Sequence, residues 1–145
     1  MARAASPSAS KLRRAFACRR RHLWYNRGSC PKELVDYLIA NGVHGLWVMG
    51  TTGEFASFDE RERAAAVEAA IEAADGRVPV VVNIGDCATR LVIRHGQAAV
   101  RAGADAVAVT PPYYYPNAQD ELLDHFRRVR DKIDLPLMIY NIPQT

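Results

Sequence analysis

From residue 31 onward the chain switches between two kinds of apolar pattern. One recurs with the spacing of a helix face. The other is a short, nearly unbroken apolar run. Behind Pro31, which suits a first helical turn, Leu34, Val35, Leu38 and Ile39 form an i, i+1, i+4, i+5 stripe that Asn41-Gly42 ends. "GLWVMG" then reads as a strand. Ser57-Phe58-Asp59-Glu60 has the spacing of a capping box and opens the helix "ERERAAAVEAAIEAA", which stops at Asp75-Gly76. "VPVVVNI" predicts a second strand, buried on both faces. Thr89 to Ala102 predicts the next helix, with Leu91, Val92, Ala98, Ala99 and Ala102 apolar and Gly103 as its cap. "DAVAVT" is the following strand. "AQDELLDHFRRVRDKI" is a helix with Leu122, Leu123, Phe126, Val129 and Ile133 inward, and "LPLMIYNI" closes the row as a strand.

Strands thus begin near Gly45, Val78, Asp105 and Leu135, with a helix in every gap. A finer echo runs through the units: "NGVHGLWVMGTT" resembles "AGADAVAVTPP", and "RVPVVVNIG" resembles "DLPLMIYNIP". Alternating strands and helices with doubly buried strands imply a parallel sheet. A doubly wound sheet and a (β/α)8 barrel both fit. No GxGxxG follows any strand, which argues against the dinucleotide-binding version.

Composition narrows the function classes. The chain has 145 residues, 49% of them apolar, enough for one domain with a real core. No apolar run approaches the roughly 18 residues of a membrane helix, so no membrane partner is expected. Cys18, Cys30 and Cys87 form no CxxC, and His22, His44, His95 and His125 show no HExxH or HxxxH pairing. Neither a metal nor a cofactor is expected, and simple thiols in a reduced, cytoplasmic setting are the default.

The net charge of +3 hides a split. Residues 1–32 hold nine basic and no acidic residues; the remainder holds ten basic and all 16 acidic ones. Residues 1–30 are therefore set apart from a folded unit at 31–145. Three readings of the Arg-rich segment compete: an organelle transit peptide, a basic arm for nucleic-acid phosphates, or sequence foreign to the fold, which is the preferred one. No recognisable nucleic-acid module stands behind "LRRAFACRRRHLWYNRG", so no nucleic-acid partner is expected.

In either architecture ligands gather at the carboxyl ends of the strands. After the first predicted strand comes Thr51-Thr52-Gly53-Glu54; after the second, Asn83-Ile84-Gly85-Asp86; after the third, Thr110-Pro111-Pro112-Tyr113-Tyr114-Tyr115; the last carries Tyr140 and Asn141. Gly50 and Gly53 permit unusual backbone angles and close approach. The amides and the hydroxyls of Thr51 and Thr52 can then converge on a carboxylate. Plainer readings stand beside this one: a capped turn, a stiff "PPYYYP" loop at a subunit contact, and a core tyrosine at 140.

Together "GTTGEF", "PVVVNIG", "VTPPYYYP" and "YNIP" resemble the dihydrodipicolinate synthase / N-acetylneuraminate lyase family over about residues 32 to 145. The resemblance implies a (β/α)8 barrel, usually tetrameric, that forms a Schiff base between a lysine and pyruvate or another small 2-keto acid. It implies that Thr51, Thr52 and Gly53 hold the keto-acid carboxylate, with Thr51 also in a proton relay. Tyr140 falls on the tyrosine that moves protons, and Tyr114 on the relay tyrosine that reaches a neighbouring subunit's site. The chemistry agrees, because a protonated imine is an electron sink and a tyrosine at hydrogen-bond distance can carry the proton.

The departures are as informative. The family's lysine lies on the strand after "YNIP", beyond Thr145, and this chain's lysines are Lys11, Lys32 and Lys132. Lys132 precedes the last strand, at the opposite rim. The first barrel strand is expected to be missing, its place taken by the Arg-rich segment. A complete barrel takes about 250 residues, so the chain is expected to offer strands two to five, a partial (β/α)8 barrel. Members that make dihydrodipicolinate carry an arginine where Thr145 stands, which leaves other 2-keto-acid aldolases open. The expectation is a fragment of a 2-keto-acid lyase, inactive alone in covalent catalysis. The rivals are a noncatalytic fragment that pairs with full-length subunits, and a targeted or nucleic-acid-binding protein.

Overall fold

In the computed structural model, residues 15–16 and 30–142 are described. The apolar stripe behind Pro31 forms helix α1, Cys30–Ala40. Its end turns at Gly42, whose φ of 79° is the left-handed geometry that glycine accepts without Cβ strain. Strand β2, Leu46–Val48, follows. Then come helix α2, Glu60–Ala74, strand β3, Val80–Asn83, helix α3, Thr89–Ala102, and strand β4, Ala106–Val109. Helix α4, Gln119–Arg130, and strand β5, Leu137–Ile139, complete the row. Each element predicted from the pattern is present.

With Ala15–Phe16 as β1, the sheet runs β1-β2-β3-β4-β5 with every neighbouring pair parallel. Strand β1, Ala15–Phe16, was not anticipated. It pairs Ala15 with Leu46 and Phe16 with Trp47, so the first position of the sheet is not empty as expected. A parallel edge needs only extended backbone to satisfy its N–H and C=O groups, and two residues of "AFAC" suffice. The rest of residues 1–29, and with them the transit-peptide, basic-arm and foreign-sequence readings, lies outside the described residues.

Strand parity sorts the sheet into two unequal faces. Leu46, Val48, Val80, Val82, Val107 and Val109, all at most 5% exposed, join one core with Val35, Val67, Ala70, Val92, Ala99, Val129 and Ile133 of the helices and the segment after α4. The opposite face is mixed: Asn83 and Ala108 are buried, Trp47, Val81 and Ala106 half-buried, and Met138 46% exposed. In a closed barrel that second face points inward, where other strands would cover it.

Three sequence expectations are corrected. The capping box of α2 is not Ser57/Glu60 but Asp59/Glu62: Asp59 Oδ1 accepts from the Glu62 amide at 2.8 Å and Glu62 Oε2 from the Asp59 amide at 2.9 Å. Phe55–Ser57 forms a 3-10 turn, which consumes Ser57 and delays the helix. On α4, Leu123 is 53% exposed and His125 is buried in its stead, because 122, 125, 126 and 129 share the inward arc. Finally, β5 is not buried on both faces: Ile139 is 55% exposed, and among the described strands β5 has one neighbour.

Candidate functional site

The chain leaves β2 through Met49, a buried residue with φ of 58°. Gly50 follows in extended backbone, and Thr51–Gly53 close a 3-10 turn through Gly53 N–H to the Gly50 carbonyl (2.9 Å) and Glu54 N–H to the Thr51 carbonyl (3.0 Å). Glu54, φ 56°, then hands over to the second 3-10 turn, Phe55–Ser57. The left-handed angles therefore fall on Met49 and Glu54, not on the glycines as the sequence suggested; Gly50 has φ −74°. Glu54 is the junction of the two turns, and Met49 stands one residue before the extended Gly50 that opens the first. For non-glycine residues each such angle costs about 1–2 kcal/mol, which surrounding contacts must over-determine. The result presents Thr51 and Thr52 outward, exposed, with Gly53 buried beneath them.

Thr51 and Thr52 line a cavity of about 330 Å³ together with Gly50 and Trp47 from the β2 side. Asn83 from the end of β3, Thr110 just past β4, and Met138 and Tyr140 from β5 and its end complete it. Each comes from the carboxyl end of a strand or from the inward face beneath it. Tyr140 is held by its backbone N–H to the Val109 carbonyl (2.9 Å), and its ring meets Trp47 edge-on, centroids 5.7 Å apart. None of these lining residues is charged, so the cavity offers hydroxyls and amides instead of a cation.

Of the residues singled out from sequence, Thr51, Thr52 and Tyr140 are brought together. Gly53 supports the turn without lining the cavity. Tyr114 stands apart, 85% exposed at φ 84°, with its ring edge-on to Tyr115 at 4.9 Å. Asn83 and Thr110 were noted as strand-end polar groups but not chosen, and Trp47 and Met138 were missed. The available signal was parity: Trp47, Asn83 and Met138 alternate along their strands with the core-facing Val48, Val82 and Leu137.

Asn83 is 3% exposed, and its side-chain amide donates to the Met49 carbonyl at 2.8 Å. Behind it sits Arg63, 5% exposed, whose guanidinium donates to the Gly85 carbonyl (3.2 and 3.3 Å), the Asn83 carbonyl (3.4 Å) and Asp86 Oδ2 (3.3 Å). Burial pushes the Asp86 carboxyl up, but hydrogen bonds from His95 and Cys87 and the Arg63 charge outweigh it and leave it below its ordinary value. Burial and the Arg63 charge hold His95 below its ordinary value, so at neutral pH its ring is uncharged. Its Nε2, 3.0 Å from Asp86, then carries the proton, since a carboxylate can only accept. A larger cleft of about 410 Å³ lies between α2 and α3, but of the cavity's residues it shares only Asn83.

These features define a class: a parallel β/α array, part of a (β/α)8 barrel, with an uncharged polar site at the carboxyl ends of its strands. A sequence model of the Dihydrodipicolinate synthetase family matches residues 27–145, and the chain belongs to that family. It is 44% identical over 112 residues to 4-hydroxy-tetrahydrodipicolinate synthase of Bradyrhizobium diazoefficiens, covering 77% of this chain and 38% of that one. It is 43% identical over 123 residues to the same enzyme of Phenylobacterium zucineum, covering 82% and 42%. Among solved structures, a prophage protein of the dihydrodipicolinic acid synthase family from E. coli K12, in complex with pyruvate, superposes with TM-score 0.76 at 40% identity over 78% of this chain and 38% of its own. The dihydrodipicolinate synthase of Aquifex aeolicus superposes with TM-score 0.76 at 34% identity over 78% and 39%. The chain thus spans about two-fifths of the length of the relatives it matches. Among the described residues no helix is long and apolar enough to cross a membrane.

Proposed function

We propose that this chain carries the carboxylate-binding and proton-moving part of a Schiff-base lyase acting on pyruvate or a related 2-keto acid. The observation that supports it most is the cavity shared by Thr51, Thr52 and Tyr140. The Thr51-Thr52-Gly53 turn offers hydroxyls and a backbone amide to the carboxylate, and the Tyr140 hydroxyl serves as the proton carrier. In the complete reaction a lysine amine attacks the keto carbon, water leaves, and the protonated imine accepts the electron pair as the neighbouring carbon loses its proton. The described lysines, Lys32 and Lys132, are both exposed, and neither lines the cavity. The imine therefore needs a lysine that these elements do not supply. Tyr114, exposed on its loop, is proposed as the relay group toward a second subunit of a homo-oligomer. A cytoplasmic setting belongs to the same proposal.

The test is a titration of the chain with pyruvate followed by ligand-observed NMR, with borohydride trapping in parallel. Non-covalent binding that Thr52→Val weakens, with no trapped adduct, is the expected result. A borohydride-stable adduct, or binding indifferent to Thr52, overturns the assignment.

A second reading draws on the half-bare sheet face and on β5. Met138 and Ile139 are exposed on a strand that has one neighbour among the described strands, which favours association with a complementary barrel segment or an intact subunit. Size-exclusion chromatography with and without an intact relative separates the two readings: co-elution supports this one, and independent elution removes it.

A further inference from the structure

We propose that Asn83 and Arg63 are positioning residues: a two-point clamp that fixes the turn carrying Thr51 and Thr52 before any ligand arrives. This rests on the reading of that turn as the keto-acid carboxylate cradle.

The turn is bounded by two non-glycine residues in left-handed backbone, Met49 at φ 58° and Glu54 at φ 56°. At its entry the Asn83 amide donates to the Met49 carbonyl at 2.8 Å, while Asn83 Oδ1 accepts from the Gly85 amide at 3.4 Å. Both contacts demand one orientation of the side-chain amide, because the flipped one sets donor against donor and acceptor against acceptor. At its exit the ring of Phe55, 9% exposed, lies 5.3 Å from the Arg63 guanidinium carbon. Arg63 in turn donates to the carbonyls of Asn83 and Gly85. Entry and exit are therefore tied to the same short stretch of backbone at the end of β3. A purely apolar filling of this space would leave the Met49 carbonyl unpaired and free to rotate. The clamp spends its binding groups on the loop and not on the ligand, so its effect is preorganisation: the hydroxyls and amides need not be ordered when a ligand binds.

The full 145-residue chain serves for the test, read by hydrogen-exchange mass spectrometry over residues 49–57 and 89–102 and by pyruvate titration. Asn83→Asp keeps the shape and removes the donor. Phe55→Leu removes the ring, and Phe55→Tyr keeps it. In Asn83→Asp and Phe55→Leu, exchange in 49–57 should quicken roughly five- to tenfold, as loss of one such contact implies, and pyruvate should bind more weakly by a similar factor. The segment 89–102 should stay as protected as in the parent, and Phe55→Tyr should match the parent throughout. Unchanged exchange in 49–57, or equal quickening of both segments, overturns the clamp. If Asn83→Asp does not fold, the Phe55 pair decides by the same criteria. If the parent chain itself binds no pyruvate, the functional reading fails, while the exchange comparison still judges the clamp.

Discussion

Gly85→Ala probes how tightly the floor of the site is packed. A Cβ built on Gly85 lies 2.5 Å from Thr110 Oγ1 and 3.3 Å from Asn83 Oδ1. Carbon–oxygen contacts ordinarily stop at about 3.3 Å, so Thr110 must retreat by most of an ångström. It has little freedom to do so. Thr110 is 5% exposed and β-branched, with a stiff χ1, and its own backbone N lies 3.5 Å from the same Cβ. Overpacking of this kind costs about 1–3 kcal/mol, against about 0.4–1 kcal/mol regained by restricting the unfolded chain. The expected net loss is about 1–2 kcal/mol, read as a lowered urea midpoint at constant slope. Thr110→Ala removes the colliding oxygen, so Gly85→Ala with Thr110→Ala should be less destabilised than the sum of the single changes by about 1 kcal/mol. Because Thr110 Oγ1 is buried with no partner among the described residues, Thr110→Val should leave stability unchanged or raise it by up to about 1 kcal/mol. A Gly85→Ala chain as stable as its parent, or strict additivity in the double variant, refutes the argument.

Two further outcomes follow from the fold. Asp59→Ala should lower stability by about 1 kcal/mol by removing the cap of α2, while Ser57→Ala should change little; urea midpoints of the two variants check this. Stability should also decline in acid in two stages, followed by thermal melts across pH. Burial lowers both His95 and His125 beneath 6.5, so the unfolded chain takes up protons first and stability falls as pH drops through that value. Asp86, lowered from 3.8, contributes above that value and loses its contribution as pH falls through its lower folded one. A midpoint that rises on acidification below 6.5 contradicts the assignment of neutral, buried imidazoles.

Most of the fold was legible because helix and strand periods differ and this chain keeps them clean. The turns after α1 and α3 announced themselves through Gly42 and Gly103, both observed in left-handed backbone. The misplaced cap of α2 shows the limit of that reading. "SFDERE" contains two overlapping box spacings, and only the 3-10 turn at Phe55–Ser57 decides between them. Leu123 reads as inward because it is apolar, yet the helix phase set by Leu122, Phe126 and Val129 turns it to solvent and His125 to the core.

For the site, the chain's own order of residues determined that hydroxyls and amides follow each strand, and the parallel pattern determined that those ends share one rim. That much needs only chain direction, since every parallel strand delivers its carboxyl end to the same side. Which side chains enter the cavity was decided by tertiary structure. Strand register set Trp47 opposite Val81 and Asn83 opposite Ala108, and so placed aromatic and amide groups on the inward face. The left-handed angle at Met49, whose carbonyl accepts from Asn83 34 residues further along the chain, has no local sequence signature. Such angles arise from long-range contacts that outweigh local backbone preference, and linear patterns record only the preference.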